Sequence, residues 1–245
     1  MKKLTILFLL VFGIINQLSA HNLWLETDAT GTIGKTQQVH VYYGEYTYNY
    51  YEKVDENFKD VDDFDLWLVA PNGDKTKLEP VAGNQRYTAE FTPDQNGSYT
   101  IILESTRNNV VDWREYDLGI LKPNFYASTS IAIGNPGKTE ATISNQPKLF
   151  IKDNSSGGYQ AENQVNLTVL FNGKPVAKQE VIVTIADQWT KTVTTNENGK
   201  TTFNLPWSGQ YVLEVIYTEE QSGSFQGTDF EAIRHTATYT IQANK

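Results

Sequence analysis

The chain of 245 residues has no cysteine, one methionine and three histidines. The missing cysteines exclude disulfides, thiolate metal sites, a cysteine nucleophile and a lipid anchor built on an N-terminal cysteine. Three histidines leave few nucleophile–base pairs, and neither a Gly-x-Ser-x-Gly turn nor a glycine-rich phosphate loop after a strand is present. Carboxylates are plentiful, but no spacing selects two of them as a glycosidase pair. Positive charge is also short, with 29 acids against 20 bases and a net charge of −9. Such a surface argues against nucleic acid or anionic lipid as partner and suits a protein that attracts cations.

Long apolar runs are missing too, with one exception. Met1-Lys2-Lys3 is basic, Leu4 to Ile15 is almost wholly apolar, and Leu18-Ser19-Ala20 supplies small residues. The run is too short for a permanent transmembrane helix, so the pattern predicts a secretory signal peptide over 1–20 and a periplasmic protein with no direct membrane insertion. Two lysines and no acid leave with it, which takes the net charge from −9 to −11. His21 then becomes the first residue. Its free α-amine and its own imidazole can close one chelate ring on a metal ion, so a single residue supplies two nitrogen ligands.

The remaining sequence alternates rather than repeating at helical period. Phe64, Leu66 and Leu68 alternate with Asp65 and Trp67; similar runs cover 99–103, 165–171, 181–185 and 211–217. Turn signals separate them at Pro71-Asn72-Gly73, Gln95-Asn96-Gly97, Asn172-Gly173-Lys174-Pro175 and Asn198-Gly199. The chain therefore reads as all-β. A turn, a strand and a Gly-x-Tyr strand recur in both halves, ending in Gly97-Ser98-Tyr99 and Gly209-Gln210-Tyr211. That grammar predicts two tandem immunoglobulin-like β-sandwich domains, at 21–143 and 146–245, joined by a polar linker within 134–145. Tyr42, Tyr43, Tyr46, Tyr48, Tyr50 and Tyr51 crowd one stretch before several acids. They form either an aromatic ledge for a sugar or partner, or a loop packed on its own sandwich; packing is the favoured reading.

Metal chemistry is the most checkable reading. In a strand starting at His21, that residue shares a face with Leu23 and Leu25; in a closing strand, His235 shares one with Ala237, Tyr239 and Ile241. If the strand ends meet, the amine and the imidazoles of His21 and His235 converge. Nitrogen donors suit nickel, cobalt, copper or zinc rather than magnesium or calcium. Taken alone, His235 is equally well a satisfied histidine at a core edge. His40, opposite Val39 and Val41, is a weak candidate that reads as solvent-facing. Glu26, Glu45, Asp229 and Glu231 are candidate oxygen ligands, although a single acid is usually surface.

His21-Asn22-Leu23-Trp24-Leu25-Glu26 resembles the "Ala-His-x-Phe/Trp-Leu-Glu" opening of a bacterial family of unknown-function domains identified as the periplasmic component of nickel/cobalt uptake systems. Leu170-Phe171-Asn172-Gly173-Lys174-Pro175-Val176, Asn198 to Pro206 and Arg234 to Tyr239 are similar to its later segments. The resemblance implies a two-domain β protein, not an enzyme, that binds a nickel- or cobalt-type ion and supports a membrane metal transporter. Where members often carry Gly-His, here Gly44 is followed by Glu45, which either removes a candidate ligand or changes it from nitrogen to oxygen. Two other readings are weighed beside it. One is a copper-dependent histidine-brace oxidase or monooxygenase; the other is a non-catalytic module for adhesion, glycan or protein binding.

Overall fold

A computed structural model describes residues 21–134, 143, 146–155 and 158–245. The expected signal peptide and most of the expected linker lie outside the described residues. Among the described residues, no helix is long and apolar enough to cross a membrane.

Among the described residues, fourteen strands of four or more residues carry the fold. In the first half these are β1 (Asn22–Thr27), β2 (Gln37–Glu45), β3 (Asp65–Val69), β4 (Lys75–Leu78), β5 (Tyr87–Phe91), β6 (Gly97–Ser105) and β7 (Ile120–Ile133). In the second they are β8 (Leu149–Asp153), β9 (Gln164–Phe171), β10 (Glu180–Ile185), β11 (Trp189–Thr194), β12 (Lys200–Asn204), β13 (Gly209–Glu219) and β14 (Ala232–Ala243). The all-β, immunoglobulin-like sandwich architecture read from the alternation is what the chain adopts.

The repeated Gly-x-Tyr unit has a physical role in each half. The Tyr99 hydroxyl donates to Asp94 Oδ1 and accepts the backbone N–H groups of Asp94 and Gln95. The Tyr211 hydroxyl donates to the Trp207 carbonyl and accepts its N–H. Both are tyrosine corners, in which a phenol at the start of a strand ties down the chain four or five residues upstream.

The two sandwiches are not separate bodies on a linker. One continuous sheet runs β11-β10-β13-β14-β7-β6-β3-β4 through both halves, and β7 pairs in parallel with β14 from Leu121↔Ala232 to Thr129↔Thr240. A second sheet, β1-β2-β5, closes the first sandwich; a third, formed by β8, β9 and β12, closes the second. These two covers lie on opposite faces of the shared sheet. Along β7, Phe125, Ala127, Ile131 and Ile133 enter the first core while Tyr126 enters the second. Along β14, Ala237, Tyr239 and Ile241 enter the second core, and Thr238, on the other face, donates to the Leu23 carbonyl of β1 at 2.7 Å.

The tyrosine-rich stretch seals the seam between the halves. Trp24, fully buried, stacks on Tyr42 and meets Tyr46 and Tyr51 edge-on or tilted. Trp24 Nε1 and Gln210 Nε2 both donate to Glu26 Oε1, at 2.9 and 2.8 Å, and the Tyr46 hydroxyl donates to the Gln210 carbonyl. Tyr43 packs on the first core, so only Tyr48 and Tyr50 of this stretch are strongly exposed, at 61% and 50%. Packing, rather than a ledge, accounts for the other four.

Candidate metal site and its cavity

His21 stands one step before β1. The last registered pair, Asn22↔Gly44, puts it opposite Glu45 at the end of β2. The chain then reverses through a single 3₁₀ turn, Tyr46–Tyr48, and Asn49 in the left-handed region, so that Tyr50–Tyr51 pairs back on Gly44–Glu45. Gly44 has φ +148°, and a Cβ there would collide with the Tyr50 carbonyl oxygen, so the tight reversal requires glycine. The Glu52 N–H closes the turn on the Tyr43 carbonyl at 2.8 Å. That fold-back brings Glu52 to the His21 side chain.

Glu52 is only 2% exposed. Its Oε1 accepts from His21 Nε2 at 2.7 Å and from Asn57 Nδ2 at 3.0 Å, and Oε2 accepts the Tyr50 hydroxyl at 3.4 Å. A buried carboxylate needs such partners to offset its lost hydration. With Nε2–H committed to Glu52, a neutral His21 ring carries its lone pair on Nδ1, which lies 3.5 Å from Glu45 Oε1. That is long for a hydrogen bond, but nitrogen and oxygen ligands each about 2.0–2.2 Å from one tetrahedral ion stand roughly that far apart. His21 and Glu45 side chains remain 32% and 23% accessible, and the ring is flanked by Tyr43 and Tyr50.

The other expected ligands are elsewhere. His40 pairs across the sheet with Glu26 and Thr88, its Nδ1 3.1 Å from the Thr88 hydroxyl; burial and then Arg86 depress its pKa. His235 is fully buried, Nδ1 on the Tyr126 hydroxyl and Nε2 on Glu219, each at 3.1 Å, with Glu219 also accepting from Lys148. Burial lowers the His235 pKa, partly opposed by the Glu219 hydrogen bond. The convergence of His21 with His235 expected from the strand ends does not form. Each histidine lies on the apolar face of its strand, but those faces belong to cores on opposite sides of the shared sheet. The neighbours Arg234 and Thr236 reach the His21 side instead. Of the other acids, Glu26 is held in the seam, Glu231 accepts the Ile120 N–H at 3.0 Å, and Asp229 sits in the Gly223–Phe230 hairpin. Among the described residues no three His, Cys, Asp or Glu side chains are grouped to hold an ion.

Glu52 escaped the sequence reading because it looks like one more acid in an acidic run. The legible signal was turn chemistry: Gly44 and Asn49 bracket a reversal that must return the chain beside Tyr43.

His21, Tyr43 and Glu45 line a cavity of about 570 Å³ together with Trp113, Tyr116, Phe125, Arg234 and Thr236. The Arg234 guanidinium carbon is 5.9 Å from the Trp113 ring centre, and no hydrogen bond or ion pair among the described residues occupies the group. Burial depresses its pKa, against a smaller pull from Glu214.

Solved structures that resemble the chain do so only distantly. A marsupial T cell receptor is 10% identical, TM-score 0.28, matching 90% of this chain and 74% of that one. The fibronectin(III)-like modules of Clostridium thermocellum CbhA are 11% identical, TM-score 0.23, matching 90% and 94%. A putative membrane anchored protein from Corynebacterium diphtheriae is 10% identical, TM-score 0.28, matching 88% and 59%. No curated protein matches. Residues 18–219, from three positions before His21 to the end of β13, match one family, and the chain belongs to it: the domain of unknown function DUF4198.

Proposed function

We infer that this is a periplasmic protein that binds a transition-metal ion of the nickel or cobalt type for delivery to a membrane transporter. The ion is the cargo. Cleavage before His21 frees the amine, which with Nδ1 forms the chelate; Glu45 adds an oxygen ligand. Glu52 holds the ring from behind, as a carboxylate that receives the other N–H of a ligating histidine and so fixes its tautomer. The observation that carries this reading is the His21 geometry: Nε2 fixed on a buried carboxylate, Nδ1 directed at a second carboxylate 3.5 Å away. Because no three side chains among the described residues suffice, the free amine is the third donor, and binding depends on processing. A copper histidine brace would need a second imidazole, which neither His40 nor His235 brings to this side of the sheet.

N-terminal mass analysis of the secreted chain, followed by nickel and cobalt titration, tests the reading. A start at His21 and loss of at least a hundredfold in affinity when one Ala precedes it are expected. A chain that starts elsewhere, or binds equally well with the added Ala, overturns it.

A further inference from the structure

The cavity is much larger than an ion requires. An ion with about six waters, at about 30 Å³ each, would take up on the order of a third of it. The volume falls in the range of pockets for small organic ligands. Its lining joins two kinds of chemistry. It holds the His21 imidazole and the Glu45 carboxylate, and also the guanidinium of Arg234, over Trp113, with Thr236. A cation in the wall of a cavity, in a protein with net charge −9, that feels Glu214 but forms no ion pair with it or with any other carboxylate among the described residues, is prepared for an anion from outside. The planar fork of arginine matches a carboxylate through two parallel hydrogen bonds. Trp113 and Phe125 in the same lining offer apolar surface for a carbon skeleton.

We propose that the cavity binds a small organic carboxylate on Arg234, so that the ion reaches His21 as its complex with such a chelator rather than as a bare ion. The proposal rests on the metal reading for its second half only; the Arg234 site stands without it. An anion there also neutralises the charge that would otherwise repel the incoming ion. The ligand need only bear one carboxylate free of the metal and span the distance from Arg234 toward His21.

Calorimetry on the chain processed to His21 tests this with nickel chloride, citrate, histidine, and the nickel complexes of citrate, histidine and histidinamide. The wild type should bind a carboxylate-bearing complex, and nickel–histidinamide, which has no carboxylate, at least tenfold more weakly than nickel–histidine. Arg234→Met should lower the affinity ratio of the carboxylate complex to nickel chloride at least tenfold. Arg234→Lys, a point charge without the fork, should fall between. Equal binding of the histidine and histidinamide complexes, or no binding of any carboxylate probe, overturns the proposal even if nickel chloride binds. Binding of citrate or histidine alone, lost in Arg234→Met while nickel fails in every form, sustains the Arg234 site and removes the metal reading instead.

Discussion

Two histidines of similar promise in the sequence end up with opposite roles, and the difference lies in what each ring nitrogen touches. His21 has one nitrogen held and one directed at Glu45; both nitrogens of His235 are engaged inside a core. Glu52→Gln keeps the shape of the support but loses its charge. Metal affinity should fall about 10–100-fold, the usual cost of altering the partner of a ligating histidine, read by nickel titration with a thermal melt as control. His235→Ala should do the reverse. It takes the His235 partner from the Tyr126 hydroxyl, leaves Glu219 with Lys148 alone and opens a cavity, for a loss on the order of 2–4 kcal/mol in urea unfolding. Nickel affinity should not change; a drop of tenfold or more in a folded variant would restore His235 to the site.

At the scale of elements, the hairpin from Gly44 to Glu52 is the device that makes a site out of scattered acids. It sets Glu45 on one side of the His21 ring and Glu52 on the other, and it depends on a backbone conformation that only glycine adopts without strain. Gly44→Ala should cost about 1–3 kcal/mol of stability and cut nickel affinity more than Glu45→Ala or Glu52→Gln alone, because both carboxylates move together. A titration in which Gly44→Ala binds as tightly as wild type would mean the hairpin does not organise the site. Local elements such as this are the ones sequence patterns express well. Alternation marked the strands, Asn-Gly marked the reversal after β9, and Gly-x-Tyr marked both tyrosine corners. The parallel β7–β14 pairing carries no such mark. It joins residues more than a hundred positions apart, and its Ser128, Thr129, Thr236 and Thr238 read as polar surface although all are buried. Without that pairing, the shared sheet and hence the opposite faces of His21 and His235 were not legible.

For the whole molecule, the seam between the halves makes stability depend on pH. Glu214 on β13 is enclosed where β1 crosses the shared sheet, its carboxylate accepting from Asn22 Nδ2. Burial raises its pKa to about 7, against the Asn22 hydrogen bond and Arg234. A group whose pKa is higher folded than unfolded stabilises the fold fully below its unfolded value, near 4.5, and loses that contribution as pH rises through about 7. His235 acts with the opposite sign. Its pKa is lowered on folding, so its contribution is complete above its ordinary value near 6.5 and is lost as pH falls below it. Removing one group should expose the other. In Glu214→Gln the amide still accepts from Asn22 but no longer ionises. The variant should match wild type near pH 4.5 and gain on it through pH 7, reaching a plateau on the order of 1–3 kcal/mol. What remains should rise more with pH across the His235 range than the wild-type profile does. Urea midpoints at pH 4.5, 6, 7.5 and 8.5 measure this. A gain that is the same at all four values would show that the Glu214 carboxylate does not titrate with folding, and that the seam is held by Trp24, Tyr46 and Glu26 independently of pH.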